Sequence, residues 1–369
     1  MLSESLEMVF VVIWHYLVFD CVKLKMKDNF KVKNSLFNVV LVVVCSFVGV
    51  GFITGVEIWF YFARFGKNML MGLVCFGVLT FVLSMFAFKN NKYGQKFANV
   101  QSKILLVSEL AVASAMVSGL FETTKTLFSK YWGMVFVVAI LLLCFLIFSE
   151  KKSFVIYNYF VAGFVIFVLV SLFLFNNNTS TENELDYSMN FELKNCILSA
   201  LFSAIYVFMN ISEIRPILER NSEFFDKKRK ILTSVILSFS LIFLVFTVSL
   251  LLFRNRWATE FSMPFLAIFR EKNNVSKFVF LIGIILTMIS TAQACLIGAK
   301  DKLNLDKNDD NFEKIIVILS SLIFGQIKFQ FYIKIVYPIL AVLNFLLMLT
   351  QLFFEIKNKR GKIDSFTLD

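Results

Sequence analysis

Val48-Gly49-Val50-Gly51-Phe52-Ile53-Thr54-Gly55-Val56-Glu57 decides how this chain is read. The first nine of these residues close an uncharged run, 34–56, long enough to cross a bilayer, which takes about 20 residues. Three glycines nevertheless fall within seven positions near mid-membrane depth, and a carboxylate follows. Glycine is about 1 kcal/mol worse than alanine inside a helix. Backbone released from helical bonding in hydrocarbon costs several kcal/mol per group unless protein, water or a ligand satisfies it. A break here makes sense where something polar binds, which is how secondary transporters build substrate and ion sites. The rival reading is Gly51-x-x-x-Gly55 as a close-packing motif between membrane helices. Glu57 tilts the balance, because an intramembrane carboxylate is costly and usually functional. Its bland alternative is an outer-interface position, paired with Arg64 seven residues on.

Composition agrees with a membrane setting. Hydrophobic residues make up 58%, charged residues 17%, and mean hydropathy is +0.76, outside the range of ordinary soluble domains. The six cysteines are scattered singly, without CxxC or Cys/His spacing, so neither a zinc site nor a disulfide framework is expected. A lone histidine, His15, makes no triad. The net charge of +11 does not point to nucleic acid, because the basic residues lie in short loops between apolar runs rather than on a patch interleaved with aromatics.

Ten runs read as spans: 36–63, 68–88, 104–121, 132–149, 154–175, 195–214, 231–253, 278–299, 315–330 and 335–355. The ninth is the weakest, since its uncharged core is only 13 residues, and nine spans remain an alternative. With the N-terminus inside, cytoplasmic segments carry 25 Lys and Arg and external ones 12, so both termini are expected in the cytoplasm. The loop before span six holds Glu182, Glu184 and Asp186 with no Lys or Arg, as an external loop should. After span seven, 262–269 reads as a short helix on the outer face. The apolar stretch 8–19 is too short to span; either it is an interfacial helix or translation begins at Met26 and 1–25 is no part of the protein.

Span six offers a second break: Tyr206-Val-Phe-Met-Asn210-Ile-Ser-Glu213-Ile-Arg215-Pro216. Proline removes a backbone hydrogen bond and disturbs the preceding turn. Glu213 and Arg215, two apart, face away from each other on a regular helix, and Arg215 reads most simply as a cytoplasmic-surface residue. Breaks in spans one and six, the first of each set of five, are the best sequence pointer to a site between inverted repeats. In span eight, Thr287, Ser290 and Thr291 either bond back to their own helix or offer oxygens to a hard cation such as sodium. Glu109, in span three, reads as an interfacial carboxylate snorkelling to the headgroups.

At these residues the chain resembles the YkvI-like family of uncharacterised bacterial permeases, relatives of the amino acid–polyamine–cation superfamily with the LeuT fold. The ten residues quoted first, followed by Phe60, Phe62, Phe65 and Gly66, are similar to its glycine-rich first-helix motif ending in Gln-Glu. Tyr206-Val-Phe-Met-Asn210 is similar to a Tyr-x-x-Tyr-Asn in helix six. Ser290-Thr291 with Gly298 is similar to a Thr-Thr pair in helix eight, and Val336-Tyr337-Pro338 to a Tyr-Pro near the end. The likeness runs from about 36 to 350. Val56 departs from the usual glutamine, Met209 from an aromatic and Ser290 from a threonine.

The resemblance implies an all-α polytopic membrane protein of about ten helices, a LeuT-type 5+5 inverted repeat with helices one and six discontinuous. Its parts would be a cytoplasmic N-terminal segment (1–35), a first five-helix repeat (36–175), an acidic external loop (176–194), a second repeat (195–355) and a cytoplasmic basic tail (356–369). Substrate would be held by Gly49, Gly51, Phe52, Ile53, Gly55, Glu57, Tyr206 and Asn210, with the amides of 49–53 facing an anionic group. A sodium ion would lie between backbone carbonyls at Cys45 and Val48 and the hydroxyls of Ser290 and Thr291.

The expected function is cation-coupled secondary transport of a small organic solute, an amino acid among the candidates, in a bacterial inner membrane. Sodium is favoured over protons because of the hydroxyl pair. The partners expected are the lipid bilayer and the solute, not nucleic acid, and no cofactor beyond sodium. A membrane sensor or partner subunit with the same fold is the alternative. An enzyme ranks last, for want of paired Asp, a His cluster or a nucleophile motif. Reporter fusions test the topology: phosphatase fused in the 176–190 loop is expected to be active, and a fluorescent protein at the C-terminus to be bright. The reverse pattern would overturn the orientation.

Overall fold

The computed structural model describes residues 36–88, 95–125, 191–261, 263–272 and 321–366, together with short pieces between 280 and 295 and single positions between 133 and 163. All regular structure among them is helical. Five helices are long and apolar enough to cross a membrane: Ala63–Ala87, Ser102–Thr123, Leu193–Ile211, Lys227–Arg254 and Phe329–Gln351. They correspond to the second, third, sixth, seventh and tenth expected spans. The fourth and fifth (132–149 and 154–175) lie almost wholly outside the described residues, and the eighth and ninth are described in part.

The first expected span is the broken one. Helix α1 (Leu36–Phe47) stops after 12 residues, followed by α2 (Val50–Thr54) and α3 (Val56–Tyr61). At 1.5 Å per residue α1 reaches about 18 Å, short of a hydrocarbon core of about 30 Å. Only the three pieces together approach the length of a span. Backbone geometry gives the reason for the breaks. The Gly49 amide bonds to Phe47 O at 2.9 Å instead of reaching back four residues to Cys45 O. Gly55 adopts φ +82°, where a Cβ would be strained. A 3₁₀ segment, Ala63–Asn68, then leads into α4 (Met69–Ala87).

The remaining elements are α5 (Gln95–Lys125), α6 (Leu193–Asn221), α7 (Lys227–Arg254), α8 (Pro264–Lys272) and α9 (Tyr337–Phe366). A short helix, Phe329–Phe331, and a π-helical turn, Tyr332–Val336, precede α9. Helix α6 is the hub: it packs most extensively on α4 and α9 and also meets α1. The short helix expected in 262–269 is present as α8.

Three expectations need correction. Helix six is not discontinuous: α6 runs unbroken from Leu193 to Asn221, through Asn210 and Pro216. The Asn210 side-chain amide, expected at a break, donates to Tyr206 O at 2.9 Å within the unbroken helix. Arg215 does not simply lie at a surface. It is partly buried, pairs with Glu219 at 2.5 Å and donates through Nη1 to Gln351 Oε1 on α9 at 2.8 Å. Glu109 does not snorkel, being only 8% exposed. Helix α9 continues through 356–366 into the basic tail.

The two outer glycines of the break should respond in opposite ways. A Cβ on Gly49 meets nothing within 4 Å, whereas one on Gly55 would be strained and would stand 3.0 Å from Leu252 Cδ2. Gly55→Ala is expected to cost about 1–2 kcal/mol. Gly49→Ala is expected to be neutral or to stabilise by about 0.4–1 kcal/mol. Unfolding in detergent micelles measures both, and equal losses would refute the assignment.

Candidate functional site

The carboxylate that follows the glycines turns back onto them. Glu57 sits in the first turn of α3, and the left-handed Gly55 just before it aims the chain so that the side chain lies over Gly51. A Cβ on Gly51 would overlap the Glu57 carboxylate. The glycine pattern therefore serves a notch and a turn. Gly51 makes room for a side chain of its own span, and Gly55 supplies the dihedral. Neither is a bare packing surface for another helix backbone.

Glu57 is 4% exposed and accepts a hydrogen bond from Tyr206 Oη of α6 at 3.2 Å. Among the described residues it has no ion-pair partner. Arg64, the sequence candidate, instead stacks its guanidinium over Phe60, Phe65 and Phe202, with Cζ 4.2–4.9 Å from the three ring centroids. The expected pairing of Glu57 with Arg64 is thereby corrected. Burying a carboxylate is expensive unless it is paired or hydrogen-bonded, and at this site one phenol reaches it.

That phenol is held by aromatic packing. The fully buried Tyr206 ring is approached edge-on by Phe47 at 5.4 Å and Phe62 at 5.5 Å, and lies tilted against Tyr61 at 5.2 Å. Such ring pairs contribute about 0.5–1.5 kcal/mol each beyond their area burial. Tyr61 adds a tie of its own, donating through Oη to Ile333 O in the π-helical turn at 3.2 Å. The aromatic cluster thus locks the end of the broken span to α6 and to the approach to α9.

The expected site residues divide into three groups. Gly51, Gly55, Glu57 and Tyr206 come together as one unit. Phe52 and Ile53 are buried in the core beside it. The Ile53 amide bonds to Gly49 O at 3.1 Å, so neither it nor the Gly49 amide is among those open to a ligand. Asn210 is buried but spends its amide on Tyr206 O. For the cation set, Val48 is buried at the break, and the Cys45 carbonyl does not receive the Gly49 amide. Thr291 is buried, and Ser290 lies outside the described residues. Thr287, one turn earlier, donates to Gly283 O at 2.7 Å and so follows the bland reading.

Sequence reasoning missed Tyr61 and the stacking of Arg64. The signal for Tyr61 was available: it stands four residues after Glu57, on the same helical face. Comparison with known proteins finds no match, neither with a family model nor with a curated protein, so the resemblance described above rests on its motifs alone.

Removing the phenol should leave the carboxylate without its donor. Tyr206→Phe is expected to destabilise the protein by about 1–3 kcal/mol. In a Glu57→Gln background the same change should cost clearly less, because the two groups interact directly. Strict additivity in this double-mutant cycle would show that the pair is not coupled.

Proposed function

We propose that the chain is a cation-coupled secondary transporter of a small organic solute, an amino acid among the candidates. In this reading it works by alternating access between two inverted five-helix repeats of LeuT type in a bacterial inner membrane. The observation that carries the reading is Glu57. A first span broken at glycines, with a buried carboxylate lodged in the break and hydrogen-bonded to a second span, is costly for a merely structural membrane protein. It is the arrangement expected where binding and helix movement are linked.

Several features support the reading without requiring it. The break frees backbone groups that a regular span would consume, and a cation near Cys45 O and Val48 O would recover part of their cost. Sodium stays the favoured coupling ion on the hydroxyl pair Ser290 and Thr291, with the proton as its rival. The hub position of α6 gives a route by which a change at Glu57 reaches α4 and α9. Such a route matters only if the packed element has two arrangements, which alternating access supplies.

Counterflow of labelled amino acids in proteoliposomes tests transport without any ion gradient. A sodium gradient is then expected to drive net uptake, and joint Ser290→Ala and Thr291→Ala substitution to abolish that drive. Exchange that is insensitive to both sodium and the substitutions would refute sodium coupling. No exchange of any solute would refute transport.

A further inference from the structure

A cavity of about 260 Å³ opens beside the broken span, separate from the Glu57 notch. It lies between α3, the segment that joins α7 to α8, and the turn that leads into α9. Trp59, Phe60 and Phe261 form an apolar wall, and Arg64 and Lys334 bring two cations to the same space. Gln330 and Thr259 add uncharged polar groups, and no carboxylate is among the described lining residues.

Arg64 is the informative residue. Its guanidinium is held against Phe60, Phe65 and Phe202, which fixes its plane at little entropic cost. Arg64 Nε is buried and has no hydrogen-bond partner among the described residues, so the half-buried side chain meets the cavity through its other atoms. The terminal N–H groups of a guanidinium match a planar carboxylate, and Arg64 lines the cavity. Glu57 does not serve, since it faces Gly51 and Tyr206 instead.

Size and polarity narrow the ligand further. A cavity of about 260 Å³ has room for a small organic solute. With two cations, an aromatic wall and no acid among the described lining residues, the site favours an anion over a zwitterion, whose ammonium would lose hydration without an anionic partner.

We infer that this cavity is a binding site for small monocarboxylates with an apolar body, in which Arg64 takes the carboxylate, Lys334 adds charge, and Trp59, Phe60 and Phe261 cover the apolar part. The significance of the site for transport rests on the reading of the chain as a transporter, but binding is measurable without it.

Calorimetry and thermal-shift measurements on the full chain in nanodiscs test the assignment. The probes are benzoate, with benzamide, benzylamine and phenyl phosphate beside it, and butyrate against 2-aminobutyrate. Benzoate and butyrate are expected to bind and stabilise, and the neutral, cationic and zwitterionic partners to bind at least about tenfold more weakly, the margin of a charge-assisted hydrogen bond. Arg64→Gln should weaken benzoate by a similar factor. Lys334→Gln, at an exposed side chain, should give a smaller loss that fades at high salt.

Absence of carboxylate binding, equal binding of benzamide or 2-aminobutyrate, tighter binding of phenyl phosphate, or an affinity unchanged in both variants would each overturn the proposal. Counterflow separates the two readings. Carboxylate binding without exchange of any solute leaves this site standing and removes transport; amino acid exchange without carboxylate binding does the opposite.

Discussion

A carboxylate placed inside a membrane protein must be given something to hold, and the rest of this structure is arranged around that requirement. Glu57 reaches its place because Gly55 takes a left-handed dihedral and Gly51 has no side chain to block it. The phenol of Tyr206 then meets it from α6. Neither glycine can be exchanged without disturbing the other's purpose: one aims the side chain and the other receives it. The break in the first span is thus part of the same device as the carboxylate, and both carry a cost that ordinary packing would avoid.

Aromatic side chains do the mechanical work around this polar contact. Phe47, Tyr61 and Phe62 surround the Tyr206 ring, so the hydroxyl is delivered by ring packing, with Tyr61 itself tied to Ile333 O. Nearby, Phe60, Phe65 and Phe202 hold the Arg64 guanidinium in the same manner. The abundance of phenylalanine, 47 residues of 369, thereby has a local use beyond general hydrophobicity. Two charges of opposite sign stand seven residues apart and do not pair, because each is committed to a different aromatic neighbourhood.

Much of this was legible in the chain. Long uncharged runs mark spans regardless of what packs against them, and five of those expected are present as helices long and apolar enough to cross a membrane. A glycine cluster ahead of a carboxylate marks a break, since neither favours a regular helix in hydrocarbon. Pro216 misled for an instructive reason. Local chemistry says that proline weakens a helix, yet α6, which packs on α4 and α9, continues through it. Likewise Arg215 read as a surface charge because nothing in its neighbourhood reveals Gln351, 136 positions away, as its acceptor.

What the sequence determined by itself was the membrane-helical class, the place of the break, and the importance of Glu57 and Tyr206 as residues. Each of these follows from composition or from the intrinsic backbone preferences of a few neighbours. Only the tertiary structure decided what the glycines are for, that Glu57 turns toward Gly51 and Tyr206 rather than toward Arg64, and that helix six stays whole. Those outcomes depend on contacts between segments far apart in the chain, where burial and ring packing outweigh local propensity. A spacing of residues can state that a carboxylate is buried; the partner it finds is chosen by the fold.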